Sequence, residues 1–316
     1  MTAAPDVAVH WELGSDRPRE DHGFFGPDSP TWKVWTSPTA LIGFQRSVVL
    51  EHFEPHLAAA VADAAGIYRD PRGRMDGTLA YFLIVATADS RTAVEASEHL
   101  QKVHARSKGL DPVTGTRYSA NDPASQLWIH VTGWHSVLKC YEVFGPGPLS
   151  RAEEDRYWSE CVIAAELQTV NPADVPRSRD EVRQYFARMR PTLCTSERAQ
   201  RAMHYLLRTP RSGSSNMQFW AISRLLAPAT IATLPHWMRE LGQFDQPGIV
   251  DAAYRPLVSA GMRIAGIPAV ETTILRRSLP MTRTALRDFH KAKAPLRPVT
   301  VTPAEAKERY GRRATA

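Results

Sequence analysis

Helix-capping residues divide this chain into successive segments, and this feature limits its fold more than any other. Asp122 followed by Pro123, and Ser150 followed three residues later by Glu153, are combinations that begin helices. No stretch alternates apolar and polar residues in the way that a half-buried strand does. The sequence therefore predicts an all-α fold in which strands are absent or trivial.

A chain of 316 residues is long enough to form one large helical core. Residues 1–22 are polar and aperiodic, and we expect them to form a loosely ordered arm. Residues 23–293 are expected to form a single helical domain, and residues 294–316 a basic C-terminal tail. The stretch 23–35 combines aromatic residues with turn formers, which predicts a loop whose Phe and Trp side chains anchor the arm on the core.

The net charge of +6 is a property of the C-terminal end. Residues 271–316 contain eleven Lys and Arg against four Asp and Glu, while the rest of the chain has 28 basic and 29 acidic residues. A basic end of this kind could contact an anionic membrane surface, or it could be a solvated terminus, and both interpretations stay open. No zinc-finger spacing, repeat or helix-turn-helix signal is present, so no nucleic-acid partner is expected.

Localisation is predicted from the same features. The N-terminus lacks the basic start and apolar run of a signal peptide, and no stretch approaches the roughly 20 apolar residues of a spanning helix. The three cysteines, Cys140, Cys161 and Cys194, have no metal-ligand spacing. Since a sparse, odd number of cysteines is typical of a reducing compartment, we expect a cytoplasmic protein with free thiols.

A histidine ends a stripe of small and apolar residues on one predicted helix. Ala93, Ser97, Leu100 and His104 are four, three and four residues apart, so they share one face, and Gly109 is expected to end the helix. The opposite face is polar and comprises Glu95, His99, Lys102 and Arg106. The stripe could lie against a flat hydrophobic cofactor and offer a His104 nitrogen to its metal. Alternatively, His104 could be a core histidine bonded to a carbonyl.

Two further helices carry polar residues on apolar faces. Arg74 and Thr78 are four residues apart and share the face of Phe82 and Val85, so a guanidinium and a hydroxyl enter an apolar helix on one side. Arg74 could instead extend to solvent, and Thr78 could bond its own backbone. His130 has the spacing of an apolar face on the helix that follows Pro123.

Several stretches, in this order, resemble one family. They are Phe25-Gly-Pro-Asp-Ser-Pro-Thr-Trp32, Glu54-Pro-His, Asp70-Pro-Arg-Gly-Arg74-Met-Asp-Gly-Thr78, Val103-His104, Gly115-Thr-Arg-Tyr-Ser-Ala-Asn-Asp122-Pro123 and Leu127-Trp-Ile-His130. The set is similar to the catalytic domain of the MpaB-like and rubber-oxygenase (latex-clearing protein) family, over roughly residues 23–245. The resemblance implies a globin-like helical core that holds haem b, and an oxygenase that cleaves carbon–carbon double bonds of isoprenoid chains with dioxygen.

The resemblance also implies roles for individual residues. By position, His104 is similar to the axial histidine, and Arg74 and Thr78 are similar to an arginine and a threonine near the haem. His130 could be a distal acid–base group or a propionate partner. Haem iron needs an apolar slot and one neutral imidazole, which His104 on its small-residue face would supply.

Two departures separate this chain from the rubber-cleaving members. Those members have a lysine just before the threonine, where this chain has Gly77, and a glutamate upstream of the arginine, near the position of Ala58. The Tyr-Ser-Ala-Asn-Asp-Pro and Trp-Ile-His motifs resemble the non-rubber branch of the family. Rubber cleavage itself is therefore not expected.

The sequence as a whole leads to two hypotheses about function. The first is a haem b-dependent oxygenase that acts on a hydrophobic small molecule with dioxygen, in which His104 binds iron and Arg74, Thr78 and His130 are catalytic. The second is a haem-binding sensor or carrier without turnover, which the missing lysine and glutamate favour. The chain has no Cys-x-x-Cys-His motif, so the haem is expected to be non-covalent.

Overall fold

The computed structural model of the protein describes residues 17–64, 66–211, 217–290 and 294–311, and these residues are mostly helical. The helices are α1 Pro30–Trp35, α2 Ala40–Glu51, α3 Pro55–Asp63, α4 Gly66–Arg69, α5 Pro71–Thr87, α6 Ser90–His104, α7 Pro123–Phe144, α8 Arg151–Ala165, α9 Arg179–Met189, α10 Glu197–Leu207, α11 Met217–Ala232, α12 His236–Leu241, α13 Gly248–Ala265, α14 Pro268–Ser278, α15 Pro280–His290 and α16 Pro303–Tyr310. Two strands, β1 Lys108–Leu110 and β2 Arg117–Ser119, form one antiparallel pair. The prediction of an all-α fold is confirmed.

The central contact of the fold is between α2 and α7. A Cβ atom on Gly43 would lie 2.5 Å from Cα of Val137, so only glycine lets the two helix backbones approach this closely. Trp134 of α7 packs edge-on against Trp35 of α1, with ring centroids 5.7 Å apart. The mostly buried α7 therefore lies at the centre of the helix packing.

The aromatic stretch near the N-terminus forms a short helix where a loop was predicted. The hydroxyl of Ser29 accepts a hydrogen bond from the backbone N–H of Trp32 at 3.0 Å, and Pro30 occupies the first helical position. The serine and proline that were interpreted as turn formers are thus a helix start. The prediction of aromatic anchors was confirmed, since Phe24, Phe25 and Trp32 are buried in the core.

The histidine-bearing helix α6 ends earlier than Gly109, the residue predicted to stop it. Its last residue is His104, and Gly109 instead lies in β1, paired with Tyr118 of β2. A Cβ atom on Gly109 would come within 2.7 Å of the Tyr118 ring, so this glycine is required by side-chain packing. Because α6 ends at this residue, His104 lies in its last turn, at the C-terminal end of the helix.

The two ends of the described chain differ from the loose arm and tail that were expected. Residues 19–23 and 296–301 lie side by side, with backbone hydrogen bonds such as Leu296 N–H to Arg19 C=O at 2.9 Å. Asp21 is fully buried and accepts a hydrogen bond from the Ser90 hydroxyl at 2.6 Å. Each end supplies the other with backbone partners, which neither stretch has when it is considered alone.

The basic C-terminal stretch also contains α16, which packs against α6 and buries Ala306 completely. Thr302 and Glu305 form a capping box at the start of this helix. The described part of the predicted tail is therefore a packed element, while residues 1–16 and 312–316 of the predicted arm and tail lie outside the described residues.

In the described part of the chain, no helix has the length and apolar content needed to cross a membrane.

Candidate functional site

The site is built on the hairpin formed by α5 and α6. Two residues join these antiparallel helices, and the hydroxyls of Tyr81 and Ser97 lie 3.3 Å apart, which fixes their register. Arg74 lies seven residues before Tyr81 on α5, and His104 lies seven residues after Ser97 on α6. Equal rises along the two helices therefore bring the start of α5 to the end of α6.

The apolar stripe that was predicted on α6 is present. Ala93 and Ser97 are buried, while Leu100 and His104 are half-buried nearer the end of the helix. The polar face is exposed, as predicted, at Glu95, His99, Lys102 and Arg106. His104 thus lies at the boundary between the packed part of the hairpin and a more open region.

His104 is held by amide side chains. Nδ1 of its ring lies 3.4 Å from the side-chain nitrogen of Gln126, in the first turn of α7. Asn121 hydrogen-bonds the ring and raises its pKa, so Asn121 acts as an acceptor for a ring N–H. The Gln126 amide nitrogen donates, so Nδ1 accepts, and the ring N–H that Asn121 accepts is at Nε2. The two amides therefore orient the imidazole, and a ligand at Nε2 would take the place of the Asn121 hydrogen bond.

The imidazole of His104 is neutral at physiological pH. Burial and, to a lesser extent, the positive charge of Arg74 together lower its pKa to about 4. A neutral imidazole with a free nitrogen is the form that binds a metal, because a protonated nitrogen has no lone pair to donate.

Arg74 and Thr78 lie one turn apart at the start of α5 and are both exposed, whereas α5 is buried from Leu79 to its end. Neighbouring protein atoms nevertheless lower the pKa of Arg74 by removing water from part of its side chain. The Thr78 hydroxyl donates to the Arg74 carbonyl at 2.9 Å. This is the bond to its own helix backbone that the sequence analysis gave as one of two alternatives for Thr78.

Glu51 is a site residue that the sequence analysis missed. It is the last residue of α2, and its carboxylate accepts a hydrogen bond from the Ser47 hydroxyl at 2.7 Å. Burial raises its pKa to about 7, against the opposing effects of Ser47 and of the charge of Arg74. The rubber-cleaving members have a glutamate near the position of Ala58. In this chain, the carboxylate whose charge acts on Arg74 is Glu51, which lies further upstream at the end of α2.

The sequence did contain a signal for Glu51. Ser47 and Glu51 are four residues apart, so they share a helix face, and Glu51 follows the apolar run Val48-Val-Leu50. An acidic residue at the end of a buried helix, with a hydroxyl one turn before it, indicates a carboxylate that is bonded inside the protein.

The positive charge of Arg74 also acts on His52, the residue after Glu51. Its Nδ1 donates to the Val48 carbonyl at 2.6 Å, and its buried Nε2 has no hydrogen-bond partner among the described residues. Burial and, to a lesser extent, the charge of Arg74 lower its pKa to about 4. The charge of Arg74 therefore acts on Glu51 and His52 at the end of α2 and on His104 of α6.

His130 lies apart from these groups in its contacts. Its Nε2 donates to the Cys161 carbonyl at 2.8 Å, and its ring centroid is 5.8 Å from that of Trp134. Burial lowers its pKa to about 4, and Nδ1 has no partner among the described residues. The structure brings His104, Arg74 and Glu51 together, and it places His130 between α7 and α8.

No group of three or more His, Cys, Asp or Glu side chains within the described ranges is arranged to hold a metal ion.

The fold and the site together describe a helical protein that opposes one neutral imidazole with a guanidinium and a carboxyl group at the end of the α5–α6 hairpin. Residues 32–266 match the model of the family described as ER-bound oxygenase mpaB/B'/Rubber oxygenase, catalytic domain. Because this match covers most of the chain, the chain belongs to that family, and the resemblance noted from the motifs is confirmed. No curated protein and no solved structure matches the chain.

Substitution of His130 tests whether it belongs to the core or to the site. We expect His130→Ala to lower the free energy of unfolding by about 2–4 kcal/mol, because it leaves a cavity beside Trp134 and removes the hydrogen bond to the Cys161 carbonyl. Haemin affinity should be unchanged. Chemical denaturation and a haemin titration measure the two effects, with His99→Ala on the exposed face of α6 as the control. Unchanged stability together with lost turnover would instead place His130 in catalysis.

Proposed function

We propose that this protein is a haem b-dependent oxygenase that acts on a hydrophobic small molecule with dioxygen. The observation that carries the proposal is the juxtaposition of a neutral His104, oriented by two amide side chains, and the accessible Arg74 on the facing helix. Membership of an oxygenase family supports the type of reaction. The substrate class and the cofactor are inferences from the site and from the family resemblance.

The residues at the site fit haem. A neutral imidazole with one free nitrogen is the usual protein ligand of haem iron, and an accessible guanidinium suits a propionate carboxylate. The side chains that precede His104 on this face of α6, Ala93, Ser97 and Leu100, are small or apolar, which suits a flat hydrophobic cofactor. Haem, when bound, would supply an iron centre at which dioxygen is activated.

Arg74 and Thr78 would hold and orient the reacting molecules. The guanidinium of Arg74 offers positive charge at the start of α5, so it would stabilise negative charge that develops on an oxygen atom bound beside it. The Thr78 hydroxyl, now bonded to the Arg74 carbonyl, can rotate to donate to a bound polar group.

Glu51 would hold and transfer a proton. Its pKa of about 7 means that both the acid and the carboxylate are populated near neutral pH, which is the property required of a general acid–base group. One oxygen accepts the Ser47 hydrogen bond, and the other carries the exchangeable proton. The charge of Arg74 favours the carboxylate, so the two groups would act as a pair.

Substitutions of Arg74 and Thr78 should separate turnover from haem binding. We expect Arg74→Ala to lower turnover about a hundredfold and Thr78→Val about tenfold, because each removes a group that stabilises charge or donates a hydrogen bond. Both variants should keep a haem spectrum, since neither side chain ligates iron in this proposal. The measurements are the haem spectrum and oxygen uptake by the reconstituted, reduced protein in the presence of squalene, an isoprenoid alkene.

Two controls match these variants. Thr78→Ser keeps the hydroxyl and should keep most of the turnover, and Arg69→Ala removes an exposed arginine from the neighbouring helix α4. Oxygen uptake that is the same in Arg74→Ala, Arg69→Ala and the wild type would exclude Arg74 from the reaction. Haem binding without any oxygen uptake in the wild type would favour a carrier or sensor instead of an oxygenase.

A further inference from the structure

The two side-chain amides that contact the ring of His104 are themselves held by backbone carbonyls. The side-chain nitrogen of Gln126 donates to the Ala120 carbonyl at 2.5 Å. The side-chain nitrogen of Asn121 donates to the Gln101 carbonyl at 2.9 Å. A carbonyl oxygen only accepts hydrogen bonds, so these two contacts determine which end of each amide is the nitrogen and which end is the oxygen.

The fold also holds the backbone that carries the two amides. The backbone N–H of Gln126 donates to the carbonyl of Asp122, the N-cap of α7, at 2.9 Å. The Thr169 hydroxyl donates to the backbone carbonyl of Asn121 at 2.9 Å. Gln126 is buried, and Asn121 is half-buried. Turning either amide over therefore breaks a hydrogen bond that the protein would have to replace.

The fixed amides select one tautomer of His104. The side-chain nitrogen of Gln126 lies 3.4 Å from Nδ1 of His104 and donates to it, so Nδ1 carries the lone pair of the ring. Because the nitrogen of Asn121 is bound to the Gln101 carbonyl, Asn121 presents its oxygen to the ring and accepts the remaining N–H. A neutral imidazole has one N–H and one lone pair, so the proton is on Nε2.

This tautomer does not suit a metal ion at Nε2. A metal there needs the Nε2 lone pair, and the proton of the neutral ring must then be on Nδ1. On Nδ1 the proton would face the N–H of Gln126, donor against donor. If the Gln126 amide turned over, its oxygen would face the Ala120 carbonyl, acceptor against acceptor. Ligation through Nε2 therefore gives up a hydrogen bond at Gln126 as well as the one at Asn121.

We propose that Gln126 and Asn121 are positioning residues that hold His104 in the non-ligating tautomer, and that metal binding at Nε2 displaces Asn121 and turns the Gln126 amide. The inference rests on the proposed function in one respect, since it takes the iron of haem as the metal. The tautomer does not depend on the proposed function, because it is a property of the protein without cofactor. Asn121 of the Tyr-Ser-Ala-Asn-Asp-Pro motif thereby acts on His104, one residue before the cap of α7.

Nitrogen-15 NMR of the cofactor-free protein tests the tautomer. The protonated and unprotonated nitrogens of a neutral imidazole differ widely in chemical shift, and the His104 signals are identified by their loss in His104→Ala. We expect Nε2 to be protonated in the wild type. Gln126→Glu replaces the donor by a carboxylate, which only accepts, and should move the proton to Nδ1. A wild-type ring that is protonated on Nδ1 would overturn the proposal, whether or not the protein binds haem.

A haemin titration tests the effect on ligation with two matched variants. Gln126→Glu supplies an acceptor for the Nδ1 proton and should bind haemin about tenfold more tightly than the wild type, because a carboxylate behind a ligating imidazole strengthens it. Asn121→Asp supplies a stronger acceptor for the Nε2 proton and should bind haemin about tenfold more weakly. Each variant adds one negative charge beside His104, so a general effect of charge would change both affinities in the same direction.

Gln126→Met is a further variant, which removes the donor without adding charge, and it should also bind haemin more tightly than the wild type. Equal affinities in the wild type and these variants would overturn the proposal. Weaker binding by Gln126→Glu together with tighter binding by Asn121→Asp would also overturn it, because that result places the iron on Nδ1. Wild-type haemin affinity in His104→Ala would instead refute the proposed function, and the NMR spectrum alone then decides whether the assigned tautomer is correct.

Discussion

His104→Ala is expected to lose haem binding. Removing a residue that only hydrogen-bonds to a metal ligand costs roughly 10–100-fold in affinity, and removing the ligand itself should lower the haemin affinity by more than that. His104 is the neutral imidazole at the open end of the α5–α6 hairpin, and the side chains of Gln126 and Asn121 orient its ring. No other histidine lies on that face of α6, since His99 is on the exposed side. A haemin titration followed by quenching of tryptophan fluorescence and by the Soret band measures the loss.

His99→Ala on the same helix is the matched control and should bind haemin as the wild type does. Free imidazole should restore a haem spectrum to the His104→Ala protein, because it can occupy the space that the side chain leaves. Wild-type affinity in His104→Ala, together with lost affinity in His130→Ala, would place the axial ligand on α7 instead of α6.

Glu51→Gln is expected to act in opposite directions on stability and turnover. Turnover should fall about a hundredfold, because glutamine has no exchangeable acidic proton. The cofactor-free protein should become more stable above about pH 7, by about 2–3 kcal/mol. Burial raises the pKa of Glu51 from 4.5 to about 7, so the folded protein holds the carboxyl group in an environment that disfavours its ionised form.

The pH window follows from these two pKa values. Below pH 4.5 the carboxyl group is protonated in both the folded and the unfolded chain, and the variant and the wild type should be equally stable. Between pH 4.5 and about 7 the folded state binds more protons than the unfolded state, so the wild type loses stability as the pH rises. The difference is complete above about pH 7. Urea unfolding at several pH values measures it, with the exposed Glu308→Gln as the control. A stability difference that does not change with pH would contradict the account.

Local patterns predicted much of the fold and part of the site. The caps at Asp122 and Ser150 depend on residues within one turn, so they were visible in the sequence and are present in the structure. The face of α6 that ends in His104 was predicted for the same reason, because helical periodicity is a local property. Its partner Arg74 came from the family resemblance, and the α5–α6 register now shows why these two residues meet.

Contacts between distant segments were not predictable in this way. Glu51 reaches Arg74 only because of how α2 packs on α5, and no spacing in the sequence reports that packing. The ends of the chain were expected to be loose because residues 19–23 and 296–301 each lack a partner when viewed alone. The prediction of a loop over residues 23–35 failed for a different reason, since Ser29 and Pro30 begin helices as readily as they form turns.

The absorption spectrum of the wild-type protein, purified from cells supplied with haem precursor, is the most direct test of the central claim. The account predicts a Soret band that shifts on reduction and shifts again on addition of carbon monoxide, in an amount near one haem per chain. It also predicts that the band is absent from His104→Ala purified in the same way and present in His99→Ala. A wild-type protein that shows no Soret band, and that does not acquire one when haemin is added, would contradict the account.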